Sequence, residues 1–214
     1  MSWLHRAHGG LVAPRRVRVL RDHLASILPP GVRVLDVGCG DGELAAAVAA
    51  ARPDIEIRGI DVLVRSGTRI PVAPFDGRHI PDPDSSSDVV LLMDVLHHAE
   101  DPAALLREAA RVARLAVIVK DHVREGWLAG TTLRLMDWVG NARHGVRLSY
   151  AYWSKPDWER ELARAGLRAD WRLSTLGLYP APASWVFERG LHFIARLRHD
   201  GVVGALGPNT ERTS

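Results

Sequence analysis

The sequence predicts an α/β fold: a seven-stranded, mostly parallel sheet with helices on both faces and a helical lid insertion after the fifth strand. Three observations predict it. Apolar strand-like runs alternate with helical patterns along the chain, as in βαβ units. The run Val34-Leu35-Asp36-Val37 enters the turn Gly38-Cys39-Gly40-Asp41-Gly42 and passes at once into a helical pattern from Glu43 to Ala50. The stretch from Asp121 to Ser154 is too long for an ordinary connection, and Leu128, Thr132, Leu135, Met136 and Val139 give it an apolar stripe at helical spacing.

The elements follow in order. A helix is expected over 15–28, with Val17, Leu20, Leu24 and Leu28 on one face, and Pro29-Pro30-Gly31 ends it. The first strand is expected at 32–37, a helix at 42–51, the second strand at 55–60 and a short third strand at 69–74. Residues 76–87, with Pro81, Pro83 and Ser85-Ser86-Ser87, read as loop. The fourth strand is placed at 88–93, and a helix at 102–113 is entered through Pro102, where the missing amide costs nothing. The fifth strand is placed at 115–120, a helix at 155–166 and the sixth strand at 167–174. A last strand is placed at 191–198, where the pattern also admits a helix. Residues 1–206 form one domain, with a lid at 121–154, and 207–214 read as a disordered tail.

The glycine-rich turn carries the chemistry. Glycine lets a backbone turn sharply and approach a ligand closely. The dinucleotide pattern G-x-G-x-x-G fails here, because Glu43 stands three residues past Gly40. Asp36 and Asp41 also make the following helix start a poor phosphate cradle, since acids cancel its favourable field. Asp36 suits a cationic ligand group instead. Asp61, at the end of the second strand, can accept hydrogen bonds from two ribose hydroxyls. Pro74-Phe75-Asp76-Gly77 and Asp88 to His98 follow in order. Together these four segments resemble the motifs of class I S-adenosylmethionine-dependent methyltransferases, over about residues 30 to 120.

That resemblance implies a Rossmann-like sheet, S-adenosylmethionine as cofactor and methyl transfer as the reaction. It implies cofactor contacts from Asp36, Gly38, Cys39, Gly40, Asp61, Val62, Asp76, Gly77, Met93 and Asp94. Asp76 takes the adenine amino group in that scheme. In the same scheme His98, the second residue of the Leu96-His97-His98 run, packs beneath the pocket, and His97 meets substrate or solvent.

Methyl transfer is an in-line displacement that needs alignment and exclusion of water, and a base only if the acceptor must lose a proton. Ligands of an open α/β sheet lie beyond the carboxyl ends of its parallel strands. Candidate bases are therefore His97 after the fourth strand and His122 after the fifth, with His122 preferred. Lys120 and Asp121 read as a pair with each other, and Asn141, His144, Tyr150 and Tyr152 lie in the lid. Asp41 and Glu43 read as capping acids, Asp88 as structural, and Cys39 as a small turn residue with no neighbouring cation to activate it. The loop Thr175 to Pro182 is expected on the ligand side, with Leu178, Tyr179 and Trp185 nearby.

No metal site is expected, because His79, His97, His98, His122 and His144 lack tight ligand spacing. Asp121 with His122 alone could contribute to a magnesium or catechol-type site. Six of the seven tryptophans, Trp127, Trp138, Trp153, Trp158, Trp171 and Trp185, follow residue 126, which suits a flat or greasy acceptor or a packed lid. The acceptor is thus expected to be small, apolar or lipid-like, with oxygen or carbon as the acceptor atom. No N-P-P-Y-type run follows the fourth strand, which disfavours amino-group methylation.

Composition sets further bounds. A chain of 214 residues can bury one large core. No stretch of 18 uncharged apolar residues is present, and Met1 to Arg6 is too polar for a secretory signal. One cysteine excludes an internal disulfide and suits a cytoplasmic setting. A net charge of +3 gives no footprint for nucleic acid. Arg15, Arg16, Arg18 and Arg21 offer a contact for a membrane surface or acidic carrier, or simply a solvated helix face. Two other functions fit the same turn: a non-catalytic S-adenosylmethionine-binding protein, and an NAD(P)-dependent oxidoreductase, which the failed glycine pattern disfavours.

Overall fold

The computed structural model describes residues 13–126, 129–134, 151–181, 183–188 and 190–200. The expected disordered tail lies outside these residues, as do Trp127, Leu128, Leu135, Met136, Trp138, Val139, Asn141, His144 and Tyr150 of the lid.

Seven strands form one sheet: β1 Arg33–Val37, β2 Glu56–Asp61, β3 Val72–Pro74, β4 Ser87–Met93, β5 Ala113–His122, β6 Leu167–Leu173 and β7 His192–His199. Their spatial order is β3-β2-β1-β4-β5-β7-β6. The first five strands pair in parallel, and β7 inserts antiparallel between β5 and β6. The order reverses at β1, so the crevice between the ends of β1 and β4 is the topological switch point where such sheets bind ligands.

Helices α1 Ala13–Ile27 and α2 Glu43–Ala51 cover one face, and α3 Pro102–Val112 and α4 Lys155–Arg164 cover the other. On the first face Leu20, Leu24, Val48, Val34 and Ile57 pack together; on the second, Leu105, Leu106, Leu35, Val90 and Trp158 do. Burial on both sides explains why β4 and β5 read as near-continuous apolar runs. Local chemistry sets the helix starts. Asp101 accepts from the Ala104 amide at 2.9 Å ahead of Pro102, and Ser154 forms a capping box with Asp157. A short helix, α5 Ser184–Phe187, precedes β7.

Several expected boundaries shift. The third strand keeps only three residues, because Arg69 turns to donate its amide to the Asp41 carbonyl at 2.8 Å. The last segment is a strand, paired along its length with β5 and β6. The largest correction concerns β5. It does not stop at Lys120; it continues through Asp121 and His122, which pair with Phe193 and His192 of β7. Two polar residues read as the start of a loop are therefore buried in the sheet. The Trp158 indole donates to the His122 carbonyl at 3.0 Å and fixes this end of the strand.

Of the lid, residues 129–134 are helical, and Ala129 and Leu133 pack with Tyr152 and Leu191. Among the described residues no helix is long and apolar enough to cross a membrane.

Candidate active site

The glycine turn lies at the switch point. Gly38 has φ +70°, and a Cβ there would stand 2.7 Å from the Val95 Cγ2, so a side chain is refused on both counts. The Gly38 amide donates to the Ile60 carbonyl at 2.8 Å, and the Gly40 amide donates to Asp61 Oδ2 at 2.8 Å. The other Asp61 oxygen accepts the Leu63 amide at 2.9 Å. The second-strand acid thus shapes the turn. Asp41 caps α2 through the Glu43 amide at 3.1 Å.

Asp36 is 3% exposed, and its Oδ1 has no hydrogen-bond partner among the described residues. Burial, with Asp61 adding repulsion, pushes its pKa up to about 7. An orphaned carboxylate oxygen at the turn is unfavourable unless a cationic group arrives to meet it. Cys39 is pushed up to about 12 by burial and by Asp36, as befits an unreactive turn residue.

The adenine end also takes shape. Val62 is 63% exposed and Leu63 56%, an unusual pair of bare apolar side chains at a strand exit. Gly77, at φ +81°, faces Val62, and a Cβ there would come within 3.0 Å of it. Asp76 Oδ1 accepts the Arg78 and His79 amides, each at 2.7 Å, which orients the carboxylate and holds its pKa down. The unpartnered buried carboxylate of Asp36, the carboxylate of Asp61 and the exposed apolar pair Val62 and Leu63 with Asp76 nearby fit S-adenosylmethionine and suit no pyrophosphate.

Beyond the turn, the ends of β4, β5 and β7 meet in a buried polar cluster. Asp94 follows Met93 with φ +60°, a strained conformation for a residue with a Cβ. Lys120, fully buried, donates to Asp94 Oδ1 at 2.5 Å and to His192 Nδ1 at 3.3 Å. Arg16, on α1, pairs with the other Asp94 oxygen. Burial pushes the Asp94 carboxyl up, yet Arg16 and Lys120 outweigh it and hold the group well below the usual range. Burial lowers the Lys120 pKa against the pull of Asp94.

His97 sits on a 3-10 turn, Leu96–His98, and its Nδ1 lies 2.6 Å from Asp121 Oδ1. A carboxylate oxygen accepts, so Nδ1 donates the hydrogen bond. The His97 ring stands edge-on to His122, centroids 4.6 Å apart, and stacks on Tyr152 at 5.6 Å. His122 in turn lies 4.7 Å from the His192 ring. Burial, reinforced for both by the Lys120 charge, keeps His122 and His192 well below the ordinary histidine value and neutral.

Several expectations need correction here. Lys120 and Asp121 do not pair exclusively with each other; Lys120 serves Asp94 and Asp121 serves His97. His97 does not face solvent: it is 2% exposed, whereas His98 is only half-buried. Asp94, assigned to the cofactor by resemblance, also joins the polar cluster through Arg16 and Lys120. Arg16 departs from the expected solvated face, since it reaches Asp94, whereas Arg15 stays exposed and donates to the Gly177 carbonyl at 3.1 Å. Trp158 is core, while Trp185 is 75% exposed. The expectation of no metal site meets an unexpected grouping, because ligand-type atoms of Asp94, His97 and His122 lie within 4.8 Å of one another. Sequence reasoning missed Arg16 and His192. Neither carries a motif; only their arrival from distant elements marks them.

A family model described as a methyltransferase domain matches residues 10–170. The 27-O-demethylrifamycin SV methyltransferase of Amycolatopsis mediterranei (strain S699) is 39% identical over 110 residues, covering 44% of this chain and 40% of that one. A ubiquinone biosynthesis O-methyltransferase of Hahella chejuensis (strain KCTC 2396) is 34% identical over 97 residues, covering 40% of each chain. The match thus spans about two fifths of these relatives. Among solved structures, the PH0226 protein of Pyrococcus horikoshii OT3 superposes with TM-score 0.65 at 16% identity, covering 88% of this chain and 91% of that one. The [4+2]-cyclase SpnF superposes with TM-score 0.59 at 21% identity, covering 86% and 81%. These structural likenesses establish the fold.

Proposed function

Because the chain belongs to the methyltransferase-domain family and is by that membership a class I S-adenosylmethionine-dependent methyltransferase, we propose that it methylates an oxygen of a small, apolar or lipid-like acceptor. The observation that carries this reading is the His97–Asp121 pair, buried beyond the glycine turn at the carboxyl ends of β4 and β5. A hydroxyl is a poor nucleophile until its proton leaves, and an imidazole fixed in one tautomer by a carboxylate is a device for taking it. Both curated relatives above carry names of oxygen methyltransferases or of an O-demethylated substrate, which supports the same acceptor atom.

The cofactor supplies an electrophilic methyl group on a sulfonium. The chain's own residues do the rest. Asp36 meets the ammonium end, Asp61 the ribose and Asp76, beside Val62 and Gly77, the adenine. His97, backed by Asp121, accepts the acceptor's proton at Nε2, and neutral His122 stands beside it as a second acceptor. Lys120 and Arg16 hold Asp94 ionised and fixed, so it does not compete for that proton. Apolar contacts among Leu133, Tyr152 and Leu191 adjoin the cluster and favour a greasy acceptor over a charged polymer.

Calorimetric titration with S-adenosylmethionine and S-adenosylhomocysteine, with NAD and NADP alongside, tests the cofactor. Micromolar binding of the first pair alone is expected. Product analysis with phenolic and alcoholic acceptors then tests the acceptor atom; methyl groups found only on carbon or nitrogen would overturn the oxygen assignment.

A further inference from the structure

We propose that Asp94, His97 and His122 form a binding site for a divalent transition-metal ion, open to an acceptor that offers two neighbouring oxygens. The proposal deepens the oxygen-methylation reading and rests on it for the nature of the acceptor.

The three residues come from the ends of two adjacent strands and offer one carboxylate and two imidazoles, whose ligand atoms lie within 4.8 Å of one another. Two nitrogens and one oxygen are a donor set for zinc, manganese or iron rather than for magnesium or calcium. The decisive detail is His122 Nδ1. It is buried, has no hydrogen-bond partner among the described residues, and stands 3.6 Å from Asp94 Oδ1 and 3.7 Å from Asp121 Oδ1. Those separations are too long for hydrogen bonds. They are close to the roughly 3.0–3.5 Å that separates neighbouring donors, each about 2.1 Å from a shared ion. In the tautomer that carries its proton on Nε2, the His122 Nδ1 lone pair faces these carboxylate oxygens and gains from a cation set between them.

The surroundings agree. Metal-binding histidines ordinarily donate their other N–H to a carboxylate, and Asp121 holds that place on His97 at 2.6 Å. Asp121 Oδ2 is itself buried and unpartnered among the described residues, and adds a second negative charge beside the site. Three protein ligands leave coordination positions open, and two adjacent ones accept a chelating pair of oxygens. The opposing feature is Lys120, whose ammonium stands on Asp94 Oδ1. With Arg16 on the other Asp94 oxygen, it satisfies the carboxylate without an ion and competes with one. The proton-accepting role of His97 belongs to the ion-free protein; with an ion bound, His97 and His122 are its ligands.

The test uses the full chain, stripped with a chelator and titrated with Co²⁺ by visible absorption and with Zn²⁺ by calorimetry, without cofactor or acceptor. The expected result is one equivalent bound, with Co²⁺ bands in the visible range. His122→Ala should weaken binding 10- to 100-fold, and Lys120→Met, which removes the competing charge, should tighten it. A catechol chromophore, 4-nitrocatechol, should shift its spectrum on the loaded protein and not on the stripped one. No binding by the wild-type chain, or equal binding by His122→Ala, overturns the site. Because the readout needs no turnover, metal binding without cofactor binding would sink the methyl-transfer reading alone, and the converse would sink the metal site alone.

Discussion

His97 Nδ1 donates to Asp121 Oδ1 at 2.6 Å, with both side chains 2% exposed. The two residues come from different segments, one from the turn after β4 and one from the last residues of β5. Their meeting ties the position of a reactive imidazole to the register of the sheet. The pair sits beside a fully buried lysine and two neutral histidines, in a pocket where water is scarce and each charge is strongly felt.

Removing either partner should separate catalysis from cofactor binding. His97→Ala is expected to lower kcat by about 10²–10⁴-fold, the usual loss for a positioned base or ligand. Asp121→Asn should cost less, since the ring remains. Cofactor affinity measured by calorimetry should stay within about twofold for both. Undiminished turnover in His97→Ala would remove the residue from the reaction.

Asp36 links affinity to pH and to stability. Its folded-state pKa of about 7 lies above the unfolded value of 3.8, so ionisation opposes folding. The penalty is absent below pH 3.8, grows towards pH 7 and is constant above it. Asp36→Asn should therefore stabilise the ligand-free protein at pH 8 by up to about 4 kcal/mol, and by nothing near pH 3. The same variant should lose most cofactor affinity. In the wild type, affinity should fall as pH drops below about 7. Thermal melts at the two pH values, beside titrations, check both signs.

Asp61 does two jobs, so its loss should be felt twice. Asp61→Ala frees the Gly40 and Leu63 amides and removes the ribose acceptor. Cofactor binding should weaken by about 2–3 kcal/mol through lost charge-assisted hydrogen bonds. Affinity equal to the wild type would take Asp61 out of the site.

Gly38→Ala should damage the turn rather than the chemistry. The new Cβ meets Val95 Cγ2 at 2.7 Å at a backbone angle of φ +70°. A stability loss of about 1–3 kcal/mol is expected from the strain and the clash, together with weaker cofactor binding. Pairing it with Val95→Ala should recover part of the stability, because only the clash is relieved.

The cofactor half of the site was legible in the sequence because it is local. The strand, the turn and the helix start lie within a few residues of one another, and each glycine or acid has a reason that sequence spacing exposes. Asp36, Gly38 and Asp61 were singled out this way and Gly77 by resemblance, and the alternation of strand and helix pointed to the parallel sheet. The other half was not legible. Asp121 and His122 look like the start of a loop by polarity, and only the antiparallel partner β7 turns them into buried strand. Arg16 looks like one of several solvated arginines until α1 packs over the sheet and brings it to Asp94, 78 positions away. His192 lies 72 positions from Lys120 and joins it only through β5–β7 pairing. A polar residue buried by distant chain leaves no periodic trace, since its burial depends on what packs against it. Spacing thus determined the family's fold and cofactor turn; the buried ion pairs, the paired His97 and Asp121, and the grouping of Asp94, His97 and His122 were decided only when strands remote in sequence came side by side.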